Sequence, residues 1–146
     1  MYNMLKHAHS GLRWLLLAAL IYAIIKGFQS WRNGKAFNKP SALIGLILTH
    51  VQLVIGLLLY FVYAPIVKVN FEDGFMKNDI TRFYTVEHLV TMLLAIILIT
   101  IGYSRGKRKA DATAAGKAVF VFYLIGLLLI LLGIPWPFRG LGAGWF

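Results

Sequence analysis

The run SALIGLILTHVQLVIGLLLYFVYAPI, residues 41–66, contains no charged side chain and decides the fold class. A membrane-spanning helix needs roughly 20 apolar residues to cross about 30 Å of hydrocarbon. Three further apolar runs reach or approach this length once their flanking turns are included, at residues 12–25, 86–103 and 118–134. Leu, Ile, Val and Phe dominate all four runs without the alternation typical of strands. The sequence therefore predicts four membrane-spanning helices.

The composition of the whole chain agrees with this prediction. Its 146 residues are 60% hydrophobic and have a mean hydropathy of +0.74, values that exclude an ordinary soluble domain. We expect one all-α transmembrane domain over residues 1–146, an up-down four-helix bundle with helices at about residues 5–28, 41–64, 83–104 and 117–135. The sequence has no cysteine, which leaves histidine, carboxylate and thioether groups as candidate metal ligands.

Basic residues are concentrated in the first and third connections, which hold nine of them against the single acid Asp111. These nine are Lys26, Arg32, Lys35, Lys39, Arg105, Lys107, Arg108, Lys109 and Lys117. The positive-inside rule then predicts a multi-pass protein of the inner (cytoplasmic) membrane, with loops one and three cytoplasmic and both termini outside. This topology accounts for the net charge of +10 through membrane orientation and contact with anionic lipid, so nucleic acid is not an expected partner.

Two histidines occupy equivalent positions on helices one and three. His9 stands seventeen residues before Lys26, and His88 stands seventeen before Arg105. Each imidazole is therefore expected roughly 25 Å along its helix from the cytoplasmic face. In an up-down bundle these helices face each other diagonally. Equal depth on opposite helices is what a flat cofactor held from both sides requires.

The ligand on helix one has two candidates. Arg13 follows one turn after His9 on the same face, whereas His7 points roughly 160° away. Depth favours His9, whereas the small residues on the His7 face, among them Gly11, favour His7. Arg13 itself is a charge within the membrane that needs an anion, such as a haem propionate, Glu87 or a lipid phosphate.

The faces of helices two and three carry further candidates. Five further residues of helix three share the face of His88, and they would either leave room for a porphyrin or let two helices approach closely. These residues are Thr91, Met92, Ala95, Ile99 and Gly102. On helix two a polar and small stripe is expected to face inward, formed by Gly45, Thr49, Gln52, Gly56, Tyr60 and Tyr63. His50 lies about 140° from that stripe and stays unassigned. Three roles remain open for it: a structural hydrogen bond, a contact with a second protomer, or proton or quinone chemistry.

These features in order resemble one four-helix half of haem A synthase, and more broadly the small haem-b membrane cytochromes. The resemblance covers roughly residues 5–135 and is carried by His9-Ser-Gly-Leu-Arg13, Gln52-x-x-x-Gly56, and His88 with Ala95. It implies a haem b held by two histidines, with Gln52 and Gly56 in the pocket wall. The synthases have two such halves and a Glu-x-x-His-Arg motif that this chain does not reproduce.

The resulting expectation is an electron carrier rather than an enzyme, with His9 and His88 as axial ligands of haem b near the outer face. Compatible partners are membrane quinol or a subunit of a respiratory complex, and a homo-oligomer would restore two bundles. One alternative is a cofactor-free accessory or assembly subunit. A third is an outer-face metal-handling protein that binds copper or zinc through His7, His9, His88 and Met92.

Overall fold

The computed structural model describes residues 1–63 and 74–145. Four long helices make up most of this part of the chain: α1 (Tyr2–Asn33), α2 (Lys39–Leu58), α3 (Asp79–Arg108) and α4 (Ala112–Gly133). α2 continues into a π-helical turn at Leu59–Tyr63, and α3 contains one at Phe83–Glu87, between its α-helical parts Asp79–Arg82 and His88–Arg108. Two 3₁₀ turns lie at Phe75–Lys77 and Pro137–Arg139. All four long helices are long and apolar enough to cross a membrane.

The helices begin and end at capping residues rather than at the limits of the apolar runs. α1 continues through Arg32 and ends where Gly34 adopts a left-handed conformation, with φ of 63°. The side chain of Asn38 accepts a hydrogen bond at the start of α2, and that of Asp111 does so at the start of α4. All four helices start two to five residues before their predicted positions. The predictions relied on the apolar runs, which begin after the helices do.

α4 is the most centrally packed helix. Its interfaces with α3 and α1 are the most extensive, α1 also packs on α2, and α2 contacts α3 over a much shorter stretch. Glycines bring the backbones together at these interfaces. A Cβ at Gly116 of α4 would lie 2.6 Å from the Gly27 carbonyl of α1, and one at Gly126 would lie 2.7 Å from Ile99 of α3. Neither position has room for a larger residue unless the helices separate.

The carboxyl end of α4 is closed by side chains from outside the helix. The last carbonyls of a helix lack partners within it and must find them elsewhere. Trp136 donates to the carbonyl of Leu131, and Arg139 donates to that of Leu132, each over 2.8 Å. The carbonyl of Gly133 is taken by a side chain of α3 that belongs to the site described next. The segment after α4 is thereby held against the end of the bundle.

Candidate functional site: a cavity between two histidines

A cavity of about 520 Å³ opens at one end of the bundle. It is bounded by the beginnings of α1 and α3, the ends of α2 and α4, and the segment that follows α4. Its size is within the range of small-molecule and cofactor sites, and its wall is mostly apolar. The polar and charged side chains in the wall are those of Tyr2, Lys6, His9, Ser10, Arg13, Thr49, Gln52, Tyr60, Tyr84 and His88.

His9 and His88 face each other in this cavity. Their ring centroids are 6.3 Å apart, and the ring planes make an angle of 71°. Imidazole nitrogens bind metal ions such as zinc at about 2.0–2.1 Å and lie about 1.1 Å from the ring centroid, so rings on opposite sides of one metal have centroids about 6 Å apart. The spacing of His9 and His88 therefore fits one metal atom between them. Both rings line the cavity of about 520 Å³.

His88 is fixed by the end of α4. Its Nδ1 lies 2.7 Å from the carbonyl oxygen of Gly133, and because a carbonyl only accepts, Nδ1 carries the proton in this contact. Nε2 is then the nitrogen left to bind a metal, an arrangement found repeatedly around metal-bound histidines. A Cβ at Gly133 would lie 2.7 Å from the terminal methyl group of Met92 and 3.1 Å from Thr91 Cγ2, so α3 and α4 pack closely here. The close approach of α3 and α4 thus sets the orientation of His88.

His9 is held mainly through its backbone and by packing. Gln52 Nε2 donates to the His9 carbonyl over 2.7 Å, which ties α2 to α1 beside the cavity. The ring lies against Gly56, where a Cβ would be 3.1 Å from His9 Cε1. His9 Nδ1 and Gln52 Oε1 are buried and have no hydrogen-bond partner among the residues that the structure describes. Gln52 and Gly56 therefore position the residue without fixing the tautomer of its ring.

Arg13 is almost fully buried, with only 7% of its surface exposed. Its Nη2 donates to the carbonyl of Trp145 over 2.7 Å, and its guanidinium carbon lies 5.8 Å from the ring centroid of Trp136. The Nε of Arg13 is buried and has no hydrogen-bond partner within residues 1–63 and 74–145. Glu87, one of the anions considered for Arg13, instead pairs with Arg82 at 2.7 Å. Arg13 therefore lines the cavity as a cation that no carboxylate among the described residues neutralises.

Three other sequence candidates lie outside the cavity wall. His7 is exposed, so the rotation of α1 directs His9 into the cavity and His7 away from it. Ala95 is fully buried between α3 and α4, where its carbonyl would lie 3.2 Å from a Cβ at Gly126. The small residues below His88 thus serve the approach of two helices, so Ala95 does not contribute to the cavity wall. His50 is exposed on α2, with Nδ1 2.9 Å from the Leu46 carbonyl.

The sequence reasoning missed how α2 and α3 are joined at the cavity rim. The hydroxyl of Tyr60, in the π turn of α2, donates to the carbonyl of Thr85 in the π turn of α3 over 2.8 Å. π turns are rare and are found frequently at functional sites. Tyr60 was already on the inward stripe of helix two, but no pattern in the sequence marked either π turn. Rare backbone turns of this kind are set by tertiary contacts.

The histidine and carboxylate side chains near the cavity limit which kinds of metal centre could form there. Within residues 1–63 and 74–145, no group of three or more histidine, aspartate or glutamate side chains comes together to hold a metal ion. The His-x-His pair is divided, since His9 lines the cavity and His7 is exposed. His9 and His88 could supply two ligands to one metal. A metal held between them would need a cofactor to fill its remaining positions, as a haem does.

Comparison of the chain with protein-family models, with curated proteins and with solved structures found no match.

Proposed function

We propose that this protein is a membrane haem-b cytochrome that takes part in electron transfer, with His9 and His88 as the axial ligands. The observation that supports the proposal most directly is the 6.3 Å spacing of the two opposed rings within a cavity of about 520 Å³. Two neutral imidazoles on opposite faces leave iron without an open position, which favours electron transfer. The iron would supply the one-electron chemistry, and the protein would supply ligation, burial and orientation.

The charges around the cavity favour an anionic occupant. Arg13 and Lys6 are in its wall, and none of the described residues in that wall is an aspartate or glutamate. Haem b carries two propionates, and a carboxylate near Arg13 would accept from the guanidinium in place of, or together with, the carbonyl of Trp145. The His9 ring packs against Gly56, and Gln52 ties this wall to α1.

The proposed membrane orientation follows from the distribution of charge in the bundle. The cavity end contains the beginning of α1 and the end of α4, whereas the basic connections after α1 and α3 lie at the other ends of those helices. An up-down bundle in the inner membrane, with these connections in the cytoplasm, satisfies the positive-inside rule. The haem would then lie near the outer face, where membrane quinol, a periplasmic carrier or a respiratory-complex subunit would exchange electrons with it.

A reduced-minus-oxidised absorption spectrum of the detergent-purified protein tests this function, together with a pyridine haemochrome assay. We expect a six-coordinate, low-spin b-type spectrum with one haem per bundle. An edge-to-face pair of rings without metal has the same spacing, and the spectrum distinguishes the two arrangements. Absence of haem after expression with added haem precursor, and again after reconstitution, would overturn the proposal in favour of a cofactor-free accessory subunit.

A further inference from the structure

The two histidines in the cavity are held in different ways. His88 donates from Nδ1 to the Gly133 carbonyl over 2.7 Å, at the interface between α3 and α4. His9 Nδ1 is buried and has no acceptor among the described residues. A hydrogen bond from the second ring nitrogen orients a ligating imidazole and raises its basicity, and its loss typically weakens metal binding 10- to 100-fold. His88 is therefore built as the stronger ligand of the pair.

The surroundings of His9 also allow its ring to move. The ring packs against Gly56, which presents no side chain to hold it, and the hydrogen bond from Gln52 reaches only the backbone carbonyl. The ring lines the cavity directly, so space for displacement lies beside it. Arg13, one turn further along α1, has a buried Nε with no acceptor in the described part of the chain. A polar donor beside a displaceable ligand is a feature that tunes the binding of small molecules to haem iron.

We propose that His9 is the displaceable ligand of the pair, and that its side of the cavity is a binding site for a neutral diatomic molecule on the ferrous protein. This inference rests on the proposed function, since it needs haem between His9 and His88. In the exchange, the His9 nitrogen leaves its coordination position and the incoming ligand takes it. One bond to iron breaks and one forms, while the oxidation state of iron and the proton count of His88 do not change.

Carbon monoxide is the probe for this exchange. The detergent-purified protein, reduced with dithionite, is titrated with carbon monoxide and followed by its difference spectrum. We expect saturable conversion to a carbon monoxide form with His88 retained as the opposite ligand. In His9→Ala we expect haem to be retained as a five-coordinate, high-spin species in the absence of carbon monoxide, and to bind the gas without competition from an internal ligand.

A matched pair of glycine variants identifies which histidine leaves. Gly56→Ala places a Cβ 3.1 Å from His9 Cε1, whereas Gly11→Ala on α1 places one where nothing lies within 4 Å. Because the added methyl presses on the His9 ring, we expect Gly56→Ala to lower the half-saturating carbon monoxide concentration about tenfold, a change of the size produced by altering the surroundings of a ligand. Gly11→Ala is expected to match the unmodified protein.

The outcomes separate this inference from the function on which it rests. Absence of haem from the unmodified protein would overturn the proposed function and this inference with it. A low-spin haem spectrum that saturating carbon monoxide leaves unchanged would overturn the inference alone. Equal half-saturation in Gly56→Ala and Gly11→Ala would overturn the assignment of His9 as the leaving ligand, even if the gas binds. Two results together would support that assignment: carbon monoxide binds more tightly to Gly56→Ala but not to Gly11→Ala, and His9→Ala still holds haem.

Discussion

The two interfaces of α3 differ in how closely the helices approach. On the α4 side, glycines bring the backbones together, and Ala95 and Ile99 are fully buried. On the α2 side contact is much shorter, and the cavity occupies the space that side chains would otherwise fill. His88 gains its hydrogen bond from the tight interface, while His9 lies beside the loose one. The closely packed α3–α4 interface thus orients His88, whereas the α2–α3 side leaves the cavity next to His9.

The largest expected effect comes from removing the histidine that the tight interface fixes. His88→Ala should abolish haem binding, because it removes the ligand whose orientation α4 sets. His50→Ala is the control, since His50 is exposed on α2 and its Nδ1 lies 2.9 Å from the Leu46 carbonyl of its own helix. Haem content by pyridine haemochrome, normalised to protein, measures both variants. Normal haem content in His88→Ala would remove this residue as a ligand.

The tight interfaces are tested next by adding a methyl group. Gly116→Ala would place a Cβ 2.5 Å from Ser30 Cβ and 2.6 Å from the Gly27 carbonyl, so the backbones of α1 and α4 must separate. Overpacking of this kind should lower the free energy of unfolding by about 1–3 kcal/mol. Thermal or denaturant unfolding in detergent measures the change, with Gly11→Ala as the matched control. Equal stability of both variants would mean that the α1–α4 contact is not close.

A smaller effect is expected at the loose interface. Tyr60→Phe removes the hydroxyl that donates to the Thr85 carbonyl between the two π turns. A hydrogen bond of this kind contributes about 0.5–1.5 kcal/mol, and those between membrane helices average near the lower limit. We expect faster amide exchange in both π turns with little change at the α3–α4 interface. Uniform loosening of all four helices would contradict the independence of the two interfaces.

The smallest effect is expected at the rim of the bundle. Glu87→Gln removes the negative charge of Glu87, which pairs with Arg82 at 2.7 Å; Arg82 also pairs with Asp79 at 3.0 Å. An exposed ion pair contributes little to stability, because water and salt screen it. Haem content and the low-spin spectrum should stay unchanged, because Arg82 and Glu87 are not among the described residues of the cavity wall. Loss of haem in this variant would place Glu87 in the site after all.

Sequence reasoning reached part of the site through helical periodicity. The inward stripe of helix two placed Gln52 and Gly56 together, and both are in the cavity wall beside His9. The same reasoning left the face of helix three with two interpretations, and Ala95 packs against α4. Periodicity gives the direction of one side chain relative to another on the same helix. It does not give the neighbour that this direction meets.

The partner of Arg13 was beyond the reach of sequence patterns. The residue was recognised as a buried charge that needs a partner, and Glu87 was a reasonable candidate on chemical grounds. The structure places the Trp145 carbonyl at 2.7 Å, more than a hundred residues away along the chain. A backbone carbonyl has no signature in the sequence because every residue carries one.

The sequence by itself determined the four apolar helices and the equal spacing of His9 and His88 from the basic clusters that follow them, because helix length and rise depend only on local residue character and spacing. The tertiary structure decided that His9 rather than His7 lines the cavity, and that Gly133 fixes His88. These outcomes depend on the rotation of each helix about its axis. Periodicity within one helix does not specify that rotation, because it depends on contacts between residues far apart in the sequence, such as Gly27 and Gly116.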